Sequence, residues 1–248
     1  MKKSMLSFIL TAFFATTTLA GTMGPVRESS EWSGVATISG GSSWVKAGET
    51  QTFYLAPQIV KTYVAQKSSH VLATGNLFLG IQKNLDQQWI GQLGLEGAIT
   101  SQANLQGIIW DDADPRFDNY RYQYKLQQSR IALKGKLLHK TNYWLTPWVS
   151  GSLGVGFNRA YNYTNTPLIP EAIPNTNFRN HCNTSLAYTI SAGVQKAINQ
   201  HLHGGVGYEF ADWGKSNLGS ATGQSLNSGL HLNHFITNSI LLYLSFSA

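Results

Sequence analysis

The chain has 248 residues, 42% of them apolar, but only 12% are charged. That is about half the roughly 25% of a soluble domain, so the charge that normally solvates a surface is missing. Trp 7, Tyr 11 and Phe 11 are too many aromatics for a disordered coil, and the single cysteine, Cys182, excludes a disulfide framework or a Cys-rich zinc module. The net charge of +6 falls to +4 without Lys2 and Lys3, and no Lys/Arg run follows them, which argues against a nucleic-acid partner.

The chain begins with basic Lys2 and Lys3, then a short apolar core from Met5 to Phe14, then small residues including Thr18 and Ala20. This is the layout of a secretory signal peptide cleaved between Ala20 and Gly21, implying export through the Sec pathway. The apolar core is too short to span a membrane comfortably, and no later stretch approaches eighteen apolar residues. The expected organisation is a signal peptide at 1–20, an N-terminal segment at 21–33 and one β-domain at 34–248.

From Gly34 onward the pattern has period two, the signature of strands with two unlike faces. A first, weaker strand runs from about Gly34 to Val45. Val71, Ala73, Gly75, Leu77, Leu79 and Ile81 then share a face opposite Thr74, Asn76, Gly80 and Gln82. Trp89 to Ile99 repeats this, with Leu93 and Leu95 opposite Gln92 and Glu96. Ile131, Leu133, Gly135 and Leu137 oppose Arg130, Ala132, Lys134 and Lys136. Val149 to Phe157, Leu186 to Val194, Val206 to Phe210 and Ile236 to Phe246 continue the alternation, which makes eight strands.

The polar faces are mostly Gly, Ser, Thr, Asn and Gln, too small and neutral for a solvated exterior but suited to the inside of a narrow barrel. Trp44, Trp89, Trp110, Tyr143, Trp144, Trp148 and Trp213 fall near strand ends, where aromatic girdles meet the lipid–water boundary. Short turns (Asn84–Gln88, His139–Asn142, Asn199–His201) alternate with long polar stretches (46–69, 102–119, 161–184 and about 214–229). The expected fold is all-β: an eight-stranded antiparallel transmembrane β-barrel with short periplasmic turns and long external loops. Ten strands would follow if Ser225 to Asn233 formed a strand of its own.

On these features the mature chain resembles the small outer-membrane β-barrel proteins, the group that includes OmpA- and OmpW-type domains. The resemblance is carried by the leader, the eight alternating segments, the run Gly207–Gly214 (Gly-Tyr-Glu-Phe-Ala-Asp-Trp-Gly) and the C-terminal Leu-Leu-Tyr-Leu-Ser-Phe. Leu242, Leu244 and Phe246 are similar to the terminal signal read by the barrel-assembly machinery, although Ser247 and Ala248 follow where the family ends on the aromatic. The resemblance implies the Gram-negative outer membrane as location, with its lipids and lipopolysaccharide as surroundings. It implies little about activity.

Glu96, Arg130, Lys134, Lys136 and Glu209 all lie on polar faces and are expected to pair inside the barrel, since an unpaired interior charge is costly. His201/His203 lack a third metal ligand, and Pro115 and Arg116 interrupt the acidic run Asp111, Asp112, Asp114 and Asp118. Neither metal, cofactor nor catalytic residue is expected. Cys182 beside His181 reads as an incidental thiol. The expected role is structural or surface-interacting, with a plugged interior. External residues Phe53, Tyr54, Pro57, Phe117, Pro167, Leu168, Ile169, Pro170 and Ile173 are candidates for contact with a host or envelope partner. The alternatives are an outer-membrane acyl hydrolase acting on lipid A, drawing on Ser225, Ser228, His231, His234 and Asp212, or OmpW-like passage of small apolar molecules.

Overall fold

Every backbone N–H and C=O of a strand facing hydrocarbon must be paired by its neighbours, and the sheet meets this demand by closing on itself. The structure, a computed structural model, describes residues 32–67, 69–170 and 175–248. The leader with its Ala20–Gly21 junction, most of segment 21–33 and Ile173 lie outside the described residues. The strands in chain order are β1 (Trp32–Lys46), β2 (Gln51–Ala56), β3 (Ile59–Ala65), β4 (Ser69–Asn84), β5 (Trp89–Thr100), β6 (Ala103–Asp111), β7 (Tyr120–His139) and β8 (Thr146–Pro167). They continue with β9 (Phe178–Arg179), β10 (His181–Ala197), β11 (Leu202–Asp212), β12 (Ser216–Asn217), β13 (Gly219–Ala221), β14 (His231–Leu232) and β15 (Ile236–Ser247).

Eight of them form a ring, β1-β4-β5-β7-β8-β10-β11-β15, every neighbour antiparallel. The ring closes where β1 pairs with β15, from Val35↔Ser247 to Val45↔Thr237. One end carries the short connections after β4, β7 and β10, together with the start of β1 and the end of β15; this is the turn end. The other, the loop end, carries the long connections. The segment 225–233 contributes only the two-residue β14, paired with β12, so the ring stays at eight.

The outward face is apolar along a belt: Leu242 is 68% exposed, Leu186 66% and Ile190 65%. On β7 the belt runs from Ile131 to Leu137, on β8 from Val149 to Phe157, and on β10 from Leu186 to Val194. These lengths are close to the roughly 9–11 residues with which a tilted strand crosses a bilayer. The belt identifies a membrane-spanning barrel. Leu242, Leu244 and Phe246 lie on it, facing outward from β15. Trp32, Trp89, Tyr143 and Trp144 are exposed at its turn-end edge and Trp44 at its loop-end edge.

Trp148 and Trp213 depart from the expected girdle: both are buried inside the ring. Trp148 precedes outward-facing Val149 and therefore points inward. Its ring fits because Gly193 and Gly207, paired across β10 and β11, present no side chain there. A Cβ on either would fall 2.6 Å from the Trp148 ring.

The long connections also differ from the expected polar loops. β2 and β3 form a hairpin, β3 pairs with β6, and β6 pairs with the upper part of β7. These strands extend the wall beyond the belt, and the segment after β11 folds over them: Ser225 N–H bonds Leu55 C=O at 3.0 Å, and Asn227 Nδ2 bonds Tyr54 C=O at 2.7 Å. Phe53, expected as an external contact, is instead stacked on Tyr63 at 5.1 Å.

Gly207→Val forces a side chain into the Trp148 ring, and overpacking of this kind costs about 1–3 kcal/mol or more. The expected outcome is a smaller fraction of heat-resistant, fast-migrating barrel on an unboiled denaturing gel. Gly97→Val, where an added Cβ meets nothing within 4 Å, leaves that fraction unchanged.

Candidate functional site

Inward positions on eight strands converge on one narrow lumen, and three layers fill it. At the turn end, Leu138, Trp148, Leu241 and Tyr243 form a small apolar cluster, with Trp148 edge-on to Tyr243 at 5.0 Å. Lys136 stands over the Trp148 face at 4.5 Å and donates to Gln195 Oε1 at 2.9 Å.

The middle layer is charged. Glu96 from β5, Arg130 and Lys134 from β7, and Glu209 from β11 are all buried. Arg130 Nη2 donates to Glu96 Oε1 at 3.0 Å and to Glu209 Oε1 at 2.9 Å. Lys134 bonds the second oxygen of Glu96 and lies 3.9 Å from Glu209 Oε2, to which Ser191 also donates at 3.3 Å. Two carboxylates thus face two cations in direct contact. The structure brings together four of the five interior charges singled out from the sequence. Lys136 is the exception: its partners are an amide oxygen and aromatic faces rather than a carboxylate.

Arg130 also lies 4.4 Å beneath the ring of Trp213, a cation–π contact that is strongest when desolvated. Trp213 Nε1 donates to Thr237 Oγ1 at 2.9 Å, which holds the ring, and Asn158 Nδ2 donates to the Trp213 carbonyl at 2.7 Å, which holds its backbone. Hydroxyl contacts line the remaining wall, as at Ser43–Ser239 (2.6 Å) and Ser152–Thr189 (2.6 Å). The space left between Asn76, Glu96, Lys134, Ser150 and Tyr243 is about 10 Å³, room for about one water.

Above the charges the loop end is closed by an apolar core. Tyr63, Tyr122, Tyr124, Tyr163, Phe178, Leu218, Leu230, Leu232 and Phe235 are buried there with Trp213. Tyr163 meets Phe178 edge-on at 4.9 Å, and Tyr122 stacks on Tyr163 at 6.2 Å. Burial pushes the phenols of Tyr63, Tyr122, Tyr124 and Tyr163 up, because the phenolate is disfavoured away from water. Alternation missed this core because its apolar side chains point inward, opposite to those of the belt.

The other candidates separate. Asp111 is held by Lys61 at 2.5 Å and Asn119 at 2.8 Å, while Asp114 pairs with Arg116, whose guanidinium holds its carboxyl below the usual range. The acidic run is thus spent on a turn rather than gathered on one point. His201 Nδ1 donates to the Ser247 carbonyl at 2.8 Å, and Cys182 is exposed. His234 Nδ1 lies 2.7 Å from Asp212 Oδ2 at the loop-end rim, but no hydrogen bond among the described residues joins it to Ser225 or Ser228.

No known protein family matches the chain, and no curated protein matches it. Among solved structures it is similar to Neisserial surface protein A (10% identity, TM-score 0.41, covering 88% of this chain and 97% of that one). It is also similar to the outer membrane protein OprG from Pseudomonas aeruginosa (15%, TM-score 0.42, covering 87% and 97%). The outer membrane protease OmpT from Escherichia coli is a further match (8%, TM-score 0.43, covering 87% and 95%). These are outer-membrane barrels, the group the sequence resembles.

Glu96→Ala leaves Lys134 without its close carboxylate and Arg130 with one of two, a change expected to cost about 3–5 kcal/mol. Urea unfolding of the refolded protein should show that loss. For the tyrosine cluster the folded phenols lie above their unfolded value of about 10, so their contribution is complete below that pH and fades as pH rises toward the folded values. The near-UV circular dichroism of the loop end should therefore persist to about pH 10 and decline above it.

Proposed function

We propose that the protein is an integral barrel of the Gram-negative outer membrane with its turn end in the periplasm, its loop end outside, and a structural or surface-interacting role. The observation that carries this reading is the combination of an apolar belt with a lumen filled along its length. An eight-stranded ring leaves an interior just wide enough for side chains, and here they occupy it. Passage of solutes or small apolar molecules through the axis would require moving both the Arg130–Trp213 contact and the tyrosine core, which argues against the OmpW-like alternative. Outside the membrane, Tyr54, Ile59, Phe117, Leu168, Ile169 and Leu226 remain exposed on the loop end and are the residues through which a host or envelope partner would be met. The hydrolase alternative has one observation in its favour, the His234–Asp212 pair, and lacks a placed nucleophile.

Purified protein in planar bilayers is expected to give no stable conductance, and the native protein to fractionate with the outer membrane. Sustained large conductance would end the closed-interior reading, and recovery from the soluble periplasm would end the membrane one. A lipid-A deacylation assay is expected to be negative; turnover that is lost in Asp212→Asn would establish the hydrolase instead.

A further inference from the structure

The lumen does not balance its own charge. Arg130, Lys134 and Lys136 point inward with Glu96 and Glu209, three cations against two carboxylates, and all five are buried. Arg130 bonds one oxygen of each carboxylate, and Lys134 bonds the other oxygen of Glu96. The surplus falls on Lys136. Its hydrogen bond goes to the amide oxygen of Gln195 at 2.9 Å, and its Nζ otherwise faces the rings of Trp148 at 4.5 Å and Tyr243 at 6.0 Å. An enclosed cation is costly without a counter-charge, and an amide with two aromatic faces supplies none.

Lys136 lines the cavity of about 10 Å³ beside Lys134, and three other strands aim polar groups into the same space. Asn76 from β4, Ser150 from β8 and Tyr243 from β15 are each more than nine-tenths buried. The Asn76 amide, the Ser150 hydroxyl and the Tyr243 phenol have no hydrogen-bond partner among the described residues. Register brings them together. Ser150 pairs directly with Lys136 across β7 and β8, while Ser39 of β1 pairs with Asn76 on one side and with Tyr243 on the other.

Donors dominate this set. The Lys136 ammonium, the two hydroxyls and the Asn76 Nδ2 group each offer an N–H or O–H, whereas the one carboxylate in the wall, Glu96, already accepts from Arg130 and Lys134. A water would satisfy some of these donors and leave the surplus charge in place. An anion satisfies the donors and cancels the charge. Space for about one water excludes carboxylates, phosphate and sulfate, and leaves an anion of a single atom. Chloride is slightly larger than water, and the flexible stem of Lys136 is the part of the wall that can give.

We propose that the lumen binds one chloride ion between Lys136, Ser150, Tyr243 and Asn76, as the counter-charge that the side chains of the plug do not supply. The ion is held rather than conducted, because the apolar cluster of Leu138, Trp148, Leu241 and Tyr243 lies on its turn-end side and the Arg130–Trp213 contact on the other. This goes beyond the closed-barrel role proposed above, which a lumen filled by side chains alone would equally satisfy.

The test uses the refolded mature protein in micelles of an uncharged detergent, titrated with urea while sodium gluconate is exchanged for sodium chloride at constant ionic strength. Heat-resistant migration of each sample is checked first; a wild type that never gives the folded form would count against the barrel itself, not against the ion site. Binding to the folded form alone makes each tenfold rise in chloride above the dissociation constant raise the folded-to-unfolded ratio by about tenfold. Lys136→Met keeps the stem and removes the charge, and should abolish that dependence. Tyr243→Phe removes one hydroxyl and leaves every charge in place, and should move the dependence to higher chloride. Lys125→Gln/Arg159→Gln, two outward cations at the loop-end edge of the belt, should leave it unchanged. Long-wavelength diffraction from crystals grown in chloride should place one anomalous peak beside Lys136 Nζ, clear of Cys182, which is exposed and is the one sulfur among the described residues. Equal stability in gluconate and chloride, an equal response to sulfate, a response undiminished in Lys136→Met, or an anomalous peak found only on the outer surface would each overturn the proposal.

Discussion

The seam between β1 and β15 is the constraint on which the structure depends. A strand in hydrocarbon has no water to satisfy its backbone, so an unpaired edge would cost several kcal/mol per group. Pairing Val35–Val45 with Thr237–Ser247 removes the last edge. Closure at eight strands then sets the bore, and the bore decides what may point inward. Small hydroxyls occupy much of the wall, as with Ser43, Thr74 and Ser239, and where a large ring enters, its surroundings must shrink. Trp148 against Gly193 and Gly207 shows this exchange of volume directly.

A membrane barrel inverts the usual sorting of polarity, and the inversion makes its charges expensive. Glu96, Arg130, Lys134 and Glu209 sit at the centre of a lumen with almost no free volume. Each must be compensated by a partner on another strand, which ties β5, β7 and β11 together across the bore. A buried ion pair is weak evidence of net stability, because desolvation offsets much of the attraction. Its stronger effect is on register. A one-residue slip of β7 against β5 would turn Arg130 and Lys134 toward lipid, at far greater cost than a misplaced leucine. The ion pairs therefore specify how the strands align more than how tightly they hold.

The belt was legible in the sequence because lipid demands an unbroken apolar face, and the residues Ile131, Leu133 and Leu137 or Leu242, Leu244 and Phe246 declare it at every second position. The shared inward face of Glu96, Arg130, Lys134 and Glu209 followed from the same count, since parity alone assigns the side of a strand. Parity could not assign which cation meets which carboxylate. Lys136 shares the face of Lys134 yet lies one pleat nearer the turn end, level with Gln195 and Trp148 instead of Glu96. Trp148 and Trp213 depart from the expected girdles because strand ends are where both girdle and plug aromatics occur; the parity of outward Val149 for the first and of inward Glu209 for the second is the better guide.

The loop-end strands escape the membrane pattern for a physical reason visible along β7. From Ile131 to Leu137 the odd-numbered residues are apolar and face lipid. From Tyr120 to Leu126 the even-numbered residues are apolar and face inward, while Arg121, Gln123 and Lys125 face outward. The strand does not break, but the solvent outside it changes from hydrocarbon to water, and the phase of the pattern reverses with it. A reader following one phase sees the alternation stop. The chain instead passes from the logic of a membrane barrel to that of a water-soluble sheet, which must find an apolar core of its own. That core is the tyrosine cluster, and it can exist only because the third and fourth long connections fold back over the extended wall. The residues at the reversal, Lys125 and Arg159, are cationic and outward, as Lys83 and Lys196 are at the opposite edge. The two rows of charge bracket the belt and fix its height on the barrel, because moving either row into hydrocarbon would bury an ammonium or guanidinium group without water.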